Sequence, residues 1–280
     1  MVYCPYTNKD LPESKTNHEH IIPLSLGGIN GFEIPVCKFF NSDVGSKIDG
    51  AIANDFLVKM KRNELDVRGH SKRKPIVIAK NSKDTISGQP LQVTFDRQSV
   101  EGLKIWSPIS KAYIKGARTI KSSFTMDIDI DLKFVAKVAL AAGFFAYGDL
   151  FRNNVKHEEL RLIMNKRPKE MGNEIFNIET LVDKRFSNDK DKQLQIFRAV
   201  CSAVGGSSIV GLVPTAKTIG VFVGILGYYM GAVNVPANTD NFPTEGEYDL
   251  GHVISPQKGI LIRTSFRNVL QNFMETIGKV

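Results

Sequence analysis

The run His18-Glu19-His20 sets two imidazoles on either side of a carboxylate, and Asn41 and Asp49 follow downstream. An imidazole that titrates near neutrality suits proton abstraction. A carboxylate with an amide oxygen makes a hard donor pair, better matched to magnesium or manganese than to zinc. Each residue also has an ordinary reading. Glu19 reads equally as an exposed strand carboxylate, and Asn41 as a helix cap, a ligand, or both. Asp49 lies about two turns beyond Asn41; it shares that face, orients a nearby basic side chain, or sits exposed. In a regular strand, residues i and i+2 share a face, so His18 and His20 point together and Glu19 points away. A site shared by Glu19 and His20 therefore requires a bulge or a strand end at Glu19. His18 is then a substitute ligand, a phosphate contact, or neither.

The elements that position these residues follow from local pattern. Asn17 to Ile22 is a short strand, Leu24 to Gly31 a loop with a Gly27-Gly28 turn, and Phe32 to Val36 a second strand. Asn41 or Ser42 caps a helix, with Asp43 in the first turn. Val44, Ile48, Ile52, Phe56 and Met60 recur at helical spacing along it.

Taken in order, Glu19-His20-Ile21-Ile22-Pro23, Gly27-Gly28, Cys37 with Asn41, Gly45, and Ile48-Asp49 resemble the signature of the HNH endonuclease family, over roughly residues 1 to 75. That resemblance implies a ββα-metal nuclease module and hydrolysis of phosphodiester bonds to a 5′-phosphate and a 3′-hydroxyl. It implies His20 as general base and Glu19 and Asn41 as ligands of Mg2+ or Mn2+, the metal acting as a Lewis acid. DNA is the implied partner, with RNA left open, and a role in restriction or phage defence is the implied context. The stretch Phe134 to Leu140 is more weakly similar to a helix found downstream in larger bacterial members. Two departures stand out. The knuckles Cys4-Pro5-Tyr6-Thr7 and Cys37-Lys38-Phe39-Phe40 each carry one cysteine of two, so a structural zinc is not expected. Asn30 is the nearest candidate for the middle asparagine of the family name; it orients the base or is a plain turn residue.

The charge pattern adds a second feature. The 37 Lys and Arg against 29 Asp and Glu give a net charge of +8. From Lys59 to Lys80, eight basic residues face two acidic ones, a net +6 over 22 residues. Lys59, Lys61, Arg62, Arg68, Lys72, Arg73 and Lys74 form a strip that reads as a solvated linker or as a phosphate-contacting surface.

The remainder reads as a larger α+β domain, residues 76–280, whose role is recognition, dimerisation or regulation. The overall fold class is α+β, with residues 1–75 as the nuclease module. Strands are expected at 76–79, 91–95 and 103–106, and an apolar helix from Asp131 to Tyr147 capped by Asp129 or Asp131. A charged helix is expected at 157–166, a polar break at 187–192, paired strands within 207–235, and a terminal helix at 261–277. Asp127 to Asp131 lacks the glycine and glutamate of a calcium loop. His70, His157 and His252 are scattered. The uncharged run 218–239 is shorter in its apolar part than a membrane span and reads as a buried element. Three cysteines and no secretory leader pattern point to the cytoplasm. A non-catalytic nucleic-acid-binding protein on a degraded HNH scaffold is the alternative function, and a membrane-associated effector a third.

Overall fold

The computed structural model describes residues 1–96, 102–116, 118–166, 177–183 and 191–277. The fold is α+β, and its paired strands are antiparallel. A small hairpin, β1 (Val2–Cys4) with β2 (Lys9–Leu11), precedes a second hairpin, β3 (Thr16–His20) with β4 (Glu33–Cys37). The strand expected through Ile22 stops at His20, because Ile21 and Ile22 turn into the core and are fully buried.

A helical run follows: α1 (Lys38–Phe40), a π-helical turn (Asn41–Gly45) and α2 (Ser46–Asn54). Asn41 therefore lies inside the run and does not cap it. Asp55 ends the run, where one helix through Met60 was expected. Its backbone is extended, and its side chain accepts hydrogen bonds from the Leu57 and Val58 amides to start α3 (Phe56–Glu64).

A five-stranded sheet comes next, ordered β8-β7-β6-β5-β9. Its strands are β5 (Val77–Asp84), β6 (Pro90–Phe95), β7 (Leu103–Ser107), β8 (Ala112–Ile114) and β9 (Ile120–Ser122). It meets α3 through the Phe56 ring, which packs on Phe95 and stacks on Phe124.

Helix α4 (Ile128–Tyr147) is the pillar of the molecule. It begins three residues before the expected Asp131, because Asp127 caps it by accepting from the Asp129 and Ile130 amides. Phe134 to Ala142 are fully buried, Lys137 included. Each such apolar side chain contributes on the order of 1.5–3 kcal/mol when fully buried, less for alanine. Two short helices follow, α5 (Asp149–Asn154) and α6 (Glu158–Asn165).

The last third is a six-stranded sheet ordered β10-β13-β12-β11-β14-β15. It comprises β10 (Glu179–Val182), β11 (Ile209–Pro214), β12 (Thr218–Ile225), β13 (Tyr228–Pro236), β14 (His252–Gln257) and β15 (Ile260–Ser265). Helices α7 (Lys192–Ala203) and α8 (Phe266–Ile277) complete it. The apolar run 218–239 is thus a strand pair, as its pattern suggested, and none of the helices described is long and apolar enough to cross a membrane. The terminal helix starts at Phe266, later than expected, because residues 260–265 pair with β14. Of the expected polar break, residues 187–190 lie outside the described residues, and Asp191 caps α7.

One apolar core takes Ile22, Phe32 and Ile52 from before residue 75 and Val135, Leu140 and Val233 from after it. Helix α4 packs against α2 and β4 on one side and against β12 and β13 on the other. That placement puts a residue of α4 within reach of the hairpin.

Candidate active site

Strand β3 carries the candidate residues, and its two faces differ. The pairing runs without a shift from Thr16 opposite Cys37 to His20 opposite Glu33. The expected bulge or strand end at Glu19 is absent, since the ladder runs on to His20, where the strand ends; alternation sends Glu19 to the face covered by α2 and α4, and His18 and His20 to the other.

On the covered face, the Lys137 ammonium is fully buried and donates to Glu19 Oε1 at 2.5 Å and to both Asp49 oxygens at 2.7 Å. Burial alone would depress the Lys137 pKa, but Asp49 and Glu19 outweigh it and hold the group above the ordinary lysine value. Asp49 is pushed up to about 6, chiefly by burial, with Lys137 opposing the shift and Glu19 adding to it. Asn41 belongs to the same cluster. A Cβ placed on Gly45 would lie 2.7 Å from Asn41 Oδ1, 3.7 Å from Glu19 Oε1 and 3.7 Å from Lys137 Cε. Glycine at 45 therefore leaves a small space bordered by an amide oxygen and a carboxylate oxygen. The Tyr6 hydroxyl is buried without a hydrogen-bond partner. Burial, then Glu19 and Asp49, drive its pKa well up, which makes it a neutral donor or acceptor beside the cluster.

On the other face, His20 Nε2 lies 3.1 Å from Asn30 Oδ1 and 3.0 Å from Glu33 Oε1. Both neighbours are acceptors, which favours a hydrogen on Nε2 and, in the neutral ring, leaves Nδ1 as the acceptor nitrogen. His18 Nδ1 sits 3.8 Å from Glu33 Oε2 and is largely exposed. The His70 ring meets the His20 ring edge-on at 5.7 Å between centroids. Sequence reasoning left His70 among scattered histidines and did not single out Glu33. Glu33 could have been found from hairpin register, whereas His70 arrives through the loop after α3.

The structure thus brings Glu19, Asn41 and Asp49 together, and separately His20, Asn30 and His18. Lys137 was missed as a site residue; its only signal was a lysine in the middle of an apolar helix, a position that demands a charged partner.

The basic strip divides too. Lys72, Arg73 and Lys74 are exposed, and Lys59 and Lys61 lie part-exposed on α3. Arg68 pairs with Asp66 at 2.8 Å, and Lys61 with Glu64 at 3.1 Å. Arg62 is buried and donates to the Ala53 carbonyl at 2.7 Å, so it braces α3 against α2. The two half-knuckles meet, with the Cys37 amide donating to Cys4 Sγ at 3.2 Å and the Tyr6 and Phe40 rings packed at 5.7 Å.

Residues 4–57 match the model of a family described as HNH endonuclease. The N-terminal segment belongs to that family. A search of curated proteins and one of solved structures gave no match. Membership makes nucleic acid the expected substrate class of the HNH segment and a divalent metal its usual cofactor. Among the described residues no group of three or more His, Cys, Asp and Glu is placed to hold a metal. The donors that do converge are oxygens of Glu19 and Asn41 around the space left by Gly45, with the orphaned Tyr6 hydroxyl nearby. Oxygen donors of this kind suit a hard cation such as magnesium or manganese rather than a soft one.

Proposed function

We propose that the protein is a metal-dependent endonuclease that hydrolyses DNA phosphodiester bonds through the HNH segment, residues 1–75. The observation that carries the reading is the meeting of Glu19 and Asn41 over Gly45, one residue before an imidazole held by Asn30 and Glu33. Bound magnesium or manganese, held by Glu19 and Asn41, supplies Lewis-acid stabilisation of the phosphate charge.

The chain's own residues do the rest. Asn30 and Glu33 fix His20 by its Nε2–H. His20 Nδ1 takes a proton from a water molecule as the water oxygen bonds to phosphorus. The bond from phosphorus to the 3′ oxygen breaks, and that oxygen leaves with a proton drawn from solvent. The products are a 5′-phosphate and a 3′-hydroxyl. Lys137 holds Glu19 and Asp49 in place from α4, which ties residues 76–280 to the site. Those residues serve recognition, dimerisation or regulation of the nuclease. The exposed Lys72, Arg73 and Lys74 follow His70 in sequence, so the strip leaves the His20 face as a path for a phosphate backbone. The resemblance suggests a role in restriction or phage defence, and the three scattered cysteines suit a cytoplasmic protein.

One observation favours a second reading, a nucleic-acid-binding protein without hydrolysis. Glu19 already has a cationic partner in Lys137. A plasmid-nicking assay with Mg2+, Mn2+ or EDTA separates the two. We expect metal-dependent nicking by the wild type, none in EDTA, and a loss on the order of 10²–10⁴-fold in His20→Ala. Equal rates in the two proteins would remove His20 as the base. Retained binding with no cleavage of DNA or RNA under either metal would leave the second reading.

A further inference from the structure

The five-stranded sheet has one face that the nuclease reading does not use. Val77, Ala79, Leu91, Val93 and Ile105 are buried on its inner face. The outer face presents Lys80, Lys83, Lys104 and Lys121, and the strand residues described on that face include no carboxylate. Asp96, just past β6, pairs with Lys104 at 2.7 Å, leaving the other three lysines as the field of the surface. Toward the opposite edge, across β6 from Lys80, Lys83 and Lys121, stand Trp106 and Tyr113, opposite one another in the β7–β8 pairing. Their rings meet at 5.1 Å and 70°, and Tyr113 is 65% exposed. A cleft of about 440 Å³, lined by Asn63, Lys74, Thr94, Lys104 and Tyr113 among others, joins the end of the basic strip to this face.

A sheet face with lysines toward one edge and an exposed tyrosine backed by a part-buried tryptophan at the other offers two things at once. The ammonium groups attract phosphates, and the rings accept the flat face of a base. A duplex hides its base faces in its own stack, so only an unpaired strand can use both. We propose that the outer face of this sheet binds single-stranded DNA, with bases stacked on Tyr113 and Trp106 and phosphates held by Lys80, Lys83 and Lys121. The choice of DNA rests on the nuclease reading, but the binding does not require cleavage.

The test is fluorescence anisotropy of the full chain with a labelled oligothymidine, the same sequence as RNA, and a duplex of equal length, all in EDTA. The wild type should bind the DNA single strand more tightly than the duplex. Tyr113→Ala should weaken single-strand binding about tenfold and leave duplex binding nearly unchanged. Lys80→Gln, Lys83→Gln and Lys121→Gln together should lower the salt slope of single-strand affinity by about 2, at about 0.7 per phosphate contact. Trp106→Ala is checked by circular dichroism first, since Trp106 is part-buried; if it fails to fold, the Tyr113 and lysine variants carry the test alone. Binding by both variants that equals the wild type overturns the proposal, as does preference for duplex or for RNA. Because EDTA removes cleavage from the readout, a failure here leaves the nicking result untouched, and a failed nicking assay leaves this binding result untouched.

Discussion

The two faces of β3 solve opposite electrostatic problems with residues one position apart. On the covered face Glu19 meets a wholly buried ammonium from α4, and Asp49 closes the cluster. On the other face His20 meets its own hairpin partner Glu33 and the loop residue Asn30, within reach of water. The first arrangement is costly to disturb, because removing one partner strands the others in low dielectric. The second contains no buried ammonium, and its imidazole and carboxylate are each about a fifth exposed, as suits a group that must exchange protons with solvent. One face of the strand thus carries the buried charge cluster, and the other carries an imidazole held by an amide and a carboxylate.

That division can be broken most severely at Lys137. Lys137→Met leaves Glu19 and Asp49 facing each other while buried, and we expect a loss of about 3–5 kcal/mol. Thermal or urea unfolding checks it, and a loss below about 1 kcal/mol would show that the cluster is open to solvent. A pH effect comes next. Asp49 has a folded pKa of about 6, above its ordinary value of 3.8. The folded state thus binds this proton more tightly than the unfolded state. The stabilising contribution is full below about pH 3.8 and is lost as pH rises through about 6. Asp49→Asn, unfolded by urea in metal-free buffer, should lack on the order of 2–3 kcal/mol of that slope between pH 4 and 6. A slope equal to the wild type's would place the titration elsewhere.

How much of this was legible in the sequence follows the same line between near and far. The hairpin was readable because alternation and the Gly27-Gly28 turn are local, and its register then fixes His20 against Glu33. The helix carrying Asn41 and Asp49 was readable from Ile48 and Ile52, but its break was not, since the capping role of Asp55 was overlooked. Three alternating aspartates at 127, 129 and 131 looked like a strand end, whereas the first of them caps α4. Residues 261–265 are expected at the start of the terminal helix, yet the ladder to β14 takes them, a case of tertiary pairing overriding local preference. Lys137 lies 118 residues from Glu19, and no spacing rule links them. Only packing of α4 against the hairpin does so.

Smaller effects sharpen the contrast. Gly45→Ala forces a Cβ to within 2.7 Å of Asn41 Oδ1 unless that side chain moves. We expect a weaker metal requirement curve, with half-maximal activity shifted about tenfold to higher Mg2+, and stability lowered by no more than about 1 kcal/mol. Activity at unchanged Mg2+ would remove Asn41 from the metal site. On the other face, where Glu33 keeps about a fifth of its side chain in solvent, Glu33→Gln should cost about 1 kcal/mol of stability or less, so its unfolding midpoint should stay near the wild type's. Neutralising Lys72, Arg73 and Lys74 should reduce the salt slope of duplex binding by about 0.9 per lost contact; an unchanged slope would make the strip a linker.

The most direct test of the account asks whether the two faces serve one reaction. Single-turnover cleavage is measured for Glu19→Gln, His20→Ala and the double variant in Mg2+. Residues acting as one unit lose little more together than apart, so the double variant should fall within a few-fold of the slower single variant. Losses that multiply, or a single variant as fast as the wild type, would contradict it.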